Sequence, residues 1–172
     1  MNIGIDVSLL SNEWDGIGTY ILSELKYIAN ENTNDIFYLY SNKPVIIDLN
    51  ISRNFIVRED NTNGHLKWLL TKLKKHLIED KIDVFWQPNF LLPYRIKGMK
   101  LIVTVHDLSG YAYMEFASMK NNIAHRLFLK RTCKCADRIL AISKSCMEDI
   151  EKYLRIPSHK IKVIYNGMKM FN

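Results

Sequence analysis

The stretch KLIVTVHDLSG, Lys100 to Gly110, runs an apolar series, Leu101, Ile102, Val103 and Val105, straight into adjacent His106 and Asp107 and then a glycine. A run with so little polar alternation suits a strand covered on both faces, as in the parallel sheet of an α/β protein. In such a sheet ligands gather at the carboxyl ends of the strands, where exposed loops are held by a rigid scaffold. His106 and Asp107, the chain's only adjacent imidazole and carboxylate, are therefore candidates for chemistry. Neighbours on an extended segment point to opposite sides, so the two do not form a hydrogen-bonded dyad. The bland alternative is a packed histidine beside a helix-capping aspartate.

Working outward, the same alternation of strand and helix recurs. Upstream, KIDVFWQP reads as a strand closed by Pro88. Before it, His65 to Ile78 places Leu66, Leu69, Leu70, Leu73 and Leu77 on one helical face and Lys67, Lys72, Lys74 and Lys75 on the other. Asn54 to Arg58 and IFYLYS (Ile36 to Ser41) read as strands. The opening run NIGIDVSLL, Asn2 to Leu10, is followed by a glycine-bearing loop and a helix marked by Tyr20, Ile21, Leu25 and Ile28. Downstream come a basic helix (Asn121 to Ala136), the strand ADRILAIS, a helix from Lys144 to Tyr153 and a last strand, KIKVIYNG. Right-handed crossover helices then cover both faces of a mainly parallel, doubly wound sheet, a three-layer Rossmann-like α/β architecture.

The length of 172 residues lies within the range of one domain with a respectable core. A net charge of +6 favours an anionic partner: a phosphorylated metabolite, an acidic membrane surface or a nucleic acid. No RNA- or DNA-binding motif accompanies the charge, so no nucleic-acid partner is expected. Cys133, Cys135 and Cys146 lack zinc-site spacing and read as reduced thiols, which points to the cytoplasm. No His, Cys or carboxylate cluster beside His106 completes a metal site, and no metal is expected. No segment approaches about 20 consecutive apolar residues. Peripheral contact with the inner face of a membrane is a candidate use of two basic stretches, LKWLLTKLKKHL and HRLFLKRTCK, with Trp68 or Phe128 as interfacial aromatics. A merely solvated basic face is the alternative.

Further candidates sit at other strand ends. In WDGIGTY, Trp14 to Tyr20, Gly16 and Gly18 let backbone approach a ligand, and the following helix offers unpaired N–H groups to an anion; the alternative is a plain turn. The third glycine of the dinucleotide fingerprint is missing, which counts against a dehydrogenase. No acidic cluster follows the first strand, which counts against a response regulator. WQPNFLLP offers Gln87 and Asn89 as hydrogen-bonding groups, against a Pro-bounded turn anchored by Phe90 and Leu91. Ser143 is favoured as a helix cap at an edge where it can also face a ligand.

In order along the chain, IGIDVSLL, GIGTY, DVFWQPNFLLP, VTVHDLS, ADRILAISKSCMEDI and IPSHKIKVIYNG resemble the N-terminal half of a GT-B glycosyltransferase close to family 4, a retaining group active on lipopolysaccharide and capsule. The resemblance implies an acceptor-side Rossmann-like domain over residues 1–167, an interdomain connection beginning at 168–172, and a separate C-terminal domain that holds most of the nucleotide-sugar donor. It implies that Gly16 and Gly18 line the cleft near the donor diphosphate and that His106 contacts the transferred sugar. Asn89, Asp107 and Ser143 fall on the acceptor rim. The implied partners are a nucleotide-sugar, a glycan or lipid-linked acceptor and the missing donor domain. The nucleotide-sugar is a co-substrate, and no cofactor is implied. Where relatives often carry His-Gly before the proline, this chain has Trp86-Gln87. One glycine turn cannot stabilise a leaving diphosphate, so the chain alone is expected to be inactive. The alternative is a non-catalytic module that binds a sugar phosphate or assembles with another chain.

Overall fold

A computed structural model describes residues 1–11, 16–31, 34–45, 54–89, 91, 92, 94–108 and 119–167, the backbone alone for 119–125. The expected features at Trp14, Asp15, Phe90, Pro93, 109–118 and 168–172 lie outside these residues. The chain divides into two compact units, Met1–Pro88 with the segment from Gly167, and Asn89–Asn166.

In the first unit, β1 (Asn2–Asp6), β2 (Ile36–Ser41), β3 (Phe55–Glu59) and β4 (Val84–Gln87) form parallel pairs in the order β3-β2-β1-β4. The order turns back on itself at β1, which makes the β1/β4 junction a topological switch point. Helix α1 (Gly16–Asn30) buries Tyr20, Ile21 and Leu25 of the expected face together with Leu22, while Ile28 is only half-buried. Strand β2 buries Phe37, Leu39 and Tyr40. The opening strand is shorter than its apolar run: β1 ends at Asp6, and Ser8–Ser11 turns into a 3-10 helix that buries Leu10. Gly4 lies where β1 packs closest. A Cβ there would come within 2.9 Å of Phe85 Cδ2 and 3.0 Å of Tyr40 Cε2.

The arm from 65 to 79 comprises α2 (His65–Trp68), a π-helical turn (Leu69–Leu73) and α3 (Lys74–Glu79). Its buried side is Trp68, Leu69, Leu73 and Leu77, whereas Leu66 and Leu70 are exposed. This corrects the expected single leucine face. It also removes Trp68 as an interfacial aromatic: the ring is wholly buried and its Nε1–H donates to Asp60 Oδ2 at 2.7 Å. A buried indole needs such a partner, and Asp60 supplies it.

The second unit pairs β5 (Lys100–Val105), β6 (Arg138–Ala141) and β7 (Ile161–Val163) in parallel. Of the apolar run in β5, Leu101, Val103 and Val105 are buried and Ile102 is half-buried. Helix α4 (Met119–Cys135) precedes β6 and buries Leu129, Thr132 and Cys133. Helix α5 (Lys144–Asp149) continues as a π turn, Ile150–Leu154, which Arg155 closes at φ 56°. The described strands and helices are thus those of a parallel, Rossmann-like α/β fold.

Candidate functional site at the strand ends

Pairing register assembles the first part of the site. Ile5 lies opposite Trp86, so Asp6 and Gln87 leave β1 and β4 side by side. Gln87 is completely buried and its Nε2 donates to Asp6 Oδ2 at 2.9 Å. The Ser8 amide donates to Asp6 Oδ1 at 2.9 Å, and His65 Nε2 lies 3.2 Å from Oδ2. An ionised carboxylate only accepts, so His65 Nε2 carries the proton in that contact. Burial pushes the Asp6 carboxyl up, but the hydrogen bond and charge of His65, with Ser8, outweigh it and hold it below the usual carboxylate range. Gln87, which the sequence offers as a hydrogen-bonding group, has one of its amide hydrogens engaged in supporting Asp6. The indole of Trp86 packs edge-on against Tyr20 at 6.0 Å.

Beside this buried carboxylate, a pocket of about 350 Å³ is lined by Ser8, Leu9, Ser11, Asn42, Lys43, Gly64 and His65. Gly64 enters it at φ 89°, a conformation that favours glycine, immediately before α2. Sequence reasoning missed this group. The available signal was Asp6, a charge closing the first apolar run, which invites the argument applied to His106. The partners that complete the group come from 59 and 81 residues away.

The candidate glycines lie on α1. Gly16 is its first residue, exposed, with none of the described residues within 4 Å of where a Cβ would stand, and Gly18 is buried. Neither fold packing nor positive φ explains glycine at position 16.

In the second unit, Val105 pairs with Ala141, so His106 and Ser143 emerge from neighbouring strand ends on one edge. His106 is half-buried and Asp107 exposed. Ser143 caps α5 by accepting the Cys146 amide at 3.0 Å, the favoured role, which leaves its hydroxyl hydrogen to be donated. Cys146 Sγ reaches back to the Val105 carbonyl at 3.2 Å, joining the cap to the end of β5. Burial pushes the Cys146 thiol up to about 11 and the Cys133 thiol up to about 12, so both stay protonated at neutral pH. Asn89 is half-buried, and its carbonyl accepts the Leu91 amide.

Three solved structures of the wall teichoic acid polymerase TagF share the fold. A histidine-to-alanine variant matches with a TM-score of 0.58 at 12% identity, over 95% of this chain and 38% of its own. A second TagF structure gives 0.58 at 11% identity, over 96% and 38%. A histidine-to-asparagine variant soaked with CDPG gives 0.55 at 9% identity, over 95% and 39%. The chain thus spans about two fifths of the length of these neighbours, and at such identities the likeness is one of fold. No curated protein sequence matches the chain. The model of Glycosyltransferase Family 4 matches residues 14–170, and the chain belongs to that family.

Proposed function

We propose that these residues form the acceptor-side domain of a retaining hexosyltransferase, which moves a sugar from a nucleotide-sugar to a glycan or lipid-linked acceptor in cell-surface polysaccharide synthesis. Family membership supports the reaction class. The observation that carries the site is Gly16, exposed at the first position of α1 with open space where a side chain would stand. Backbone N–H groups at a helix start suit the donor diphosphate, and a bare Cα lets phosphate oxygens approach them. Gly18, the third residue of α1, shares that role. His106, at the end of β5, contacts the transferred sugar, with Asp107, Asn89 and Ser143 as rim groups for the acceptor. No metal or cofactor enters this scheme, which works at the cytoplasmic face of the membrane.

Catalysis needs charge stabilisation at the departing diphosphate, and one glycine turn supplies only part of it. The 172 residues alone are therefore expected to transfer no sugar. Transfer from labelled nucleotide-sugars to lipid-linked acceptors should appear only when a donor domain of the family is joined to them. In that joined protein Gly16→Ala should lower kcat/KM about tenfold or more by crowding the diphosphate, the loss of one charged hydrogen bond. Its melting temperature should be unchanged or higher, because alanine favours the helix. Unaltered kcat/KM in Gly16→Ala would remove Gly16 from the donor site. Turnover by the 172 residues alone would overturn the division of labour.

A further inference from the structure

We propose that the pocket at the carboxyl ends of β1 and β2 binds a phosphorylated sugar, with Lys43 and the Ser8 hydroxyl on the phosphate and Ser11, Asn42 and Gly64 around the ring. The inference stands apart from the transferase reading, because it concerns binding alone.

Three observations converge on it. The first is charge. Among the described lining residues there is no carboxylate, since Asp6 lies beneath the pocket with Ser8, Gln87 and His65 as its partners. Lys43 is exposed on the rim, and no ion pair of its ammonium is found among the described residues. The second is an unsatisfied donor. Ser8 is 7% exposed, and its Oγ lies beside Asp6 but completes no hydrogen bond of acceptable geometry among the described residues. A buried hydroxyl without a partner is costly, and a phosphate oxygen in the pocket would satisfy it.

The third is the mix of remaining groups. Ser11 Oγ donates its hydrogen to the Ser8 carbonyl at 2.7 Å, which leaves it an acceptor for a sugar hydroxyl. Asn42 donates one amide hydrogen to the Thr62 carbonyl at 3.1 Å, which leaves a donor and an acceptor to spare. Leu9 is the one apolar side chain among the described lining residues, suited to the C–H face of a ring. An ammonium and a lone hydroxyl suit a tetrahedral phosphate, whereas a planar carboxylate is better met by the fork of an arginine, and no arginine is among the described lining residues. The volume of about 350 Å³ is at the small end of ligand pockets, appropriate to one phosphorylated monosaccharide.

The test is titration of the 172-residue chain with glucose 6-phosphate, glucose, inorganic phosphate and gluconate, followed by amide chemical shifts and calorimetry. Glucose 6-phosphate should shift the amides of Ser8, Lys43 and Gly64, inorganic phosphate should bind the same place more weakly, and glucose and gluconate should leave it unchanged. Lys43→Glu should abolish the response. Ser8→Ala should weaken binding about tenfold, the loss of one hydrogen bond to a charged group, with the melting temperature retained. Absence of shifts, equal response to glucose, or binding indifferent to Lys43→Glu would overturn the proposal. So would shifts confined to the other basic pocket, at Arg95–Lys100. Loss of sugar transfer in Gly16→Ala would leave this result where it stood, so the two readings fail separately.

Discussion

Asp6 is the residue on which the first unit's strand ends depend. Its carboxylate accepts from a glutamine, a histidine and a backbone amide, and a buried charge is tolerated only with such company. Asp6→Asn keeps the shape but turns one acceptor into a donor facing donors, and should cost about 1–3 kcal/mol at pH 7 in urea unfolding. The pH dependence has a definite sign. The folded carboxyl lies below its ordinary value, so its stabilisation is complete above about pH 4 and disappears as pH falls through the folded value. The gap between wild type and Asp6→Asn should therefore shrink as pH is lowered below about 4; a constant gap would show that Asp6 carries no such linkage. None of this was legible in the linear chain. There Asp6 is a charge interrupting an apolar run, and its histidine and glutamine are brought to it only by tertiary pairing. Ser143 was legible as a cap because its partner, Cys146, is three residues away.

At the scale of elements, the order of strands and helices follows from periodicity, whereas the two helical arms needed the structure. Each arm buries a strict four-residue repeat: Leu69, Leu73 and Leu77 in one, Cys146, Ile150 and Leu154 in the other. On an ideal helix such a repeat drifts by about 40° per step, because a turn takes 3.6 residues. A π turn is wider, and in both arms one lies within the repeat, Leu69–Leu73 and Ile150–Leu154, keeping the stripe on the buried side. The leucine count alone suggested a broader face that included Leu66 and Leu70. Strand β1 makes a different demand, since Gly4 is required by close approach. Gly4→Ala would press a methyl group on Phe85 and on Tyr40, whose hydroxyl is held by Asp80 at 2.7 Å and whose ring has little room to move. Overpacking of this kind costs about 1–3 kcal/mol, roughly 2–4 °C of melting temperature for each kcal/mol at this chain length. An unchanged melting temperature would mean that the β1 packing is looser than the contacts indicate.

For the molecule as a whole, the positive charge seeks an anionic counterpart, and part of it has a definite location. Lys67, Lys74 and Lys75 are exposed on the 65–79 arm together with Leu66, Leu70 and Ile78, a pairing suited to anionic lipid headgroups. Among the described residues no helix is long and apolar enough to cross a membrane. Flotation with vesicles rich in phosphatidylglycerol should retain the chain at low salt and release it at high salt. Replacing each lysine by glutamine should weaken retention about fivefold, near 1 kcal/mol per charge. Equal retention on neutral vesicles would rule out the electrostatic component. The parallel pairing of β1 with β4 also bears on biosynthesis. The Asp6 side chain meets that of Gln87 only 81 residues later, and at roughly 5–20 residues per second a ribosome needs roughly 4–16 s to supply it. Throughout that interval the nascent chain carries a finished first strand with one flank unpaired, a natural point of engagement for chaperones that act during translation.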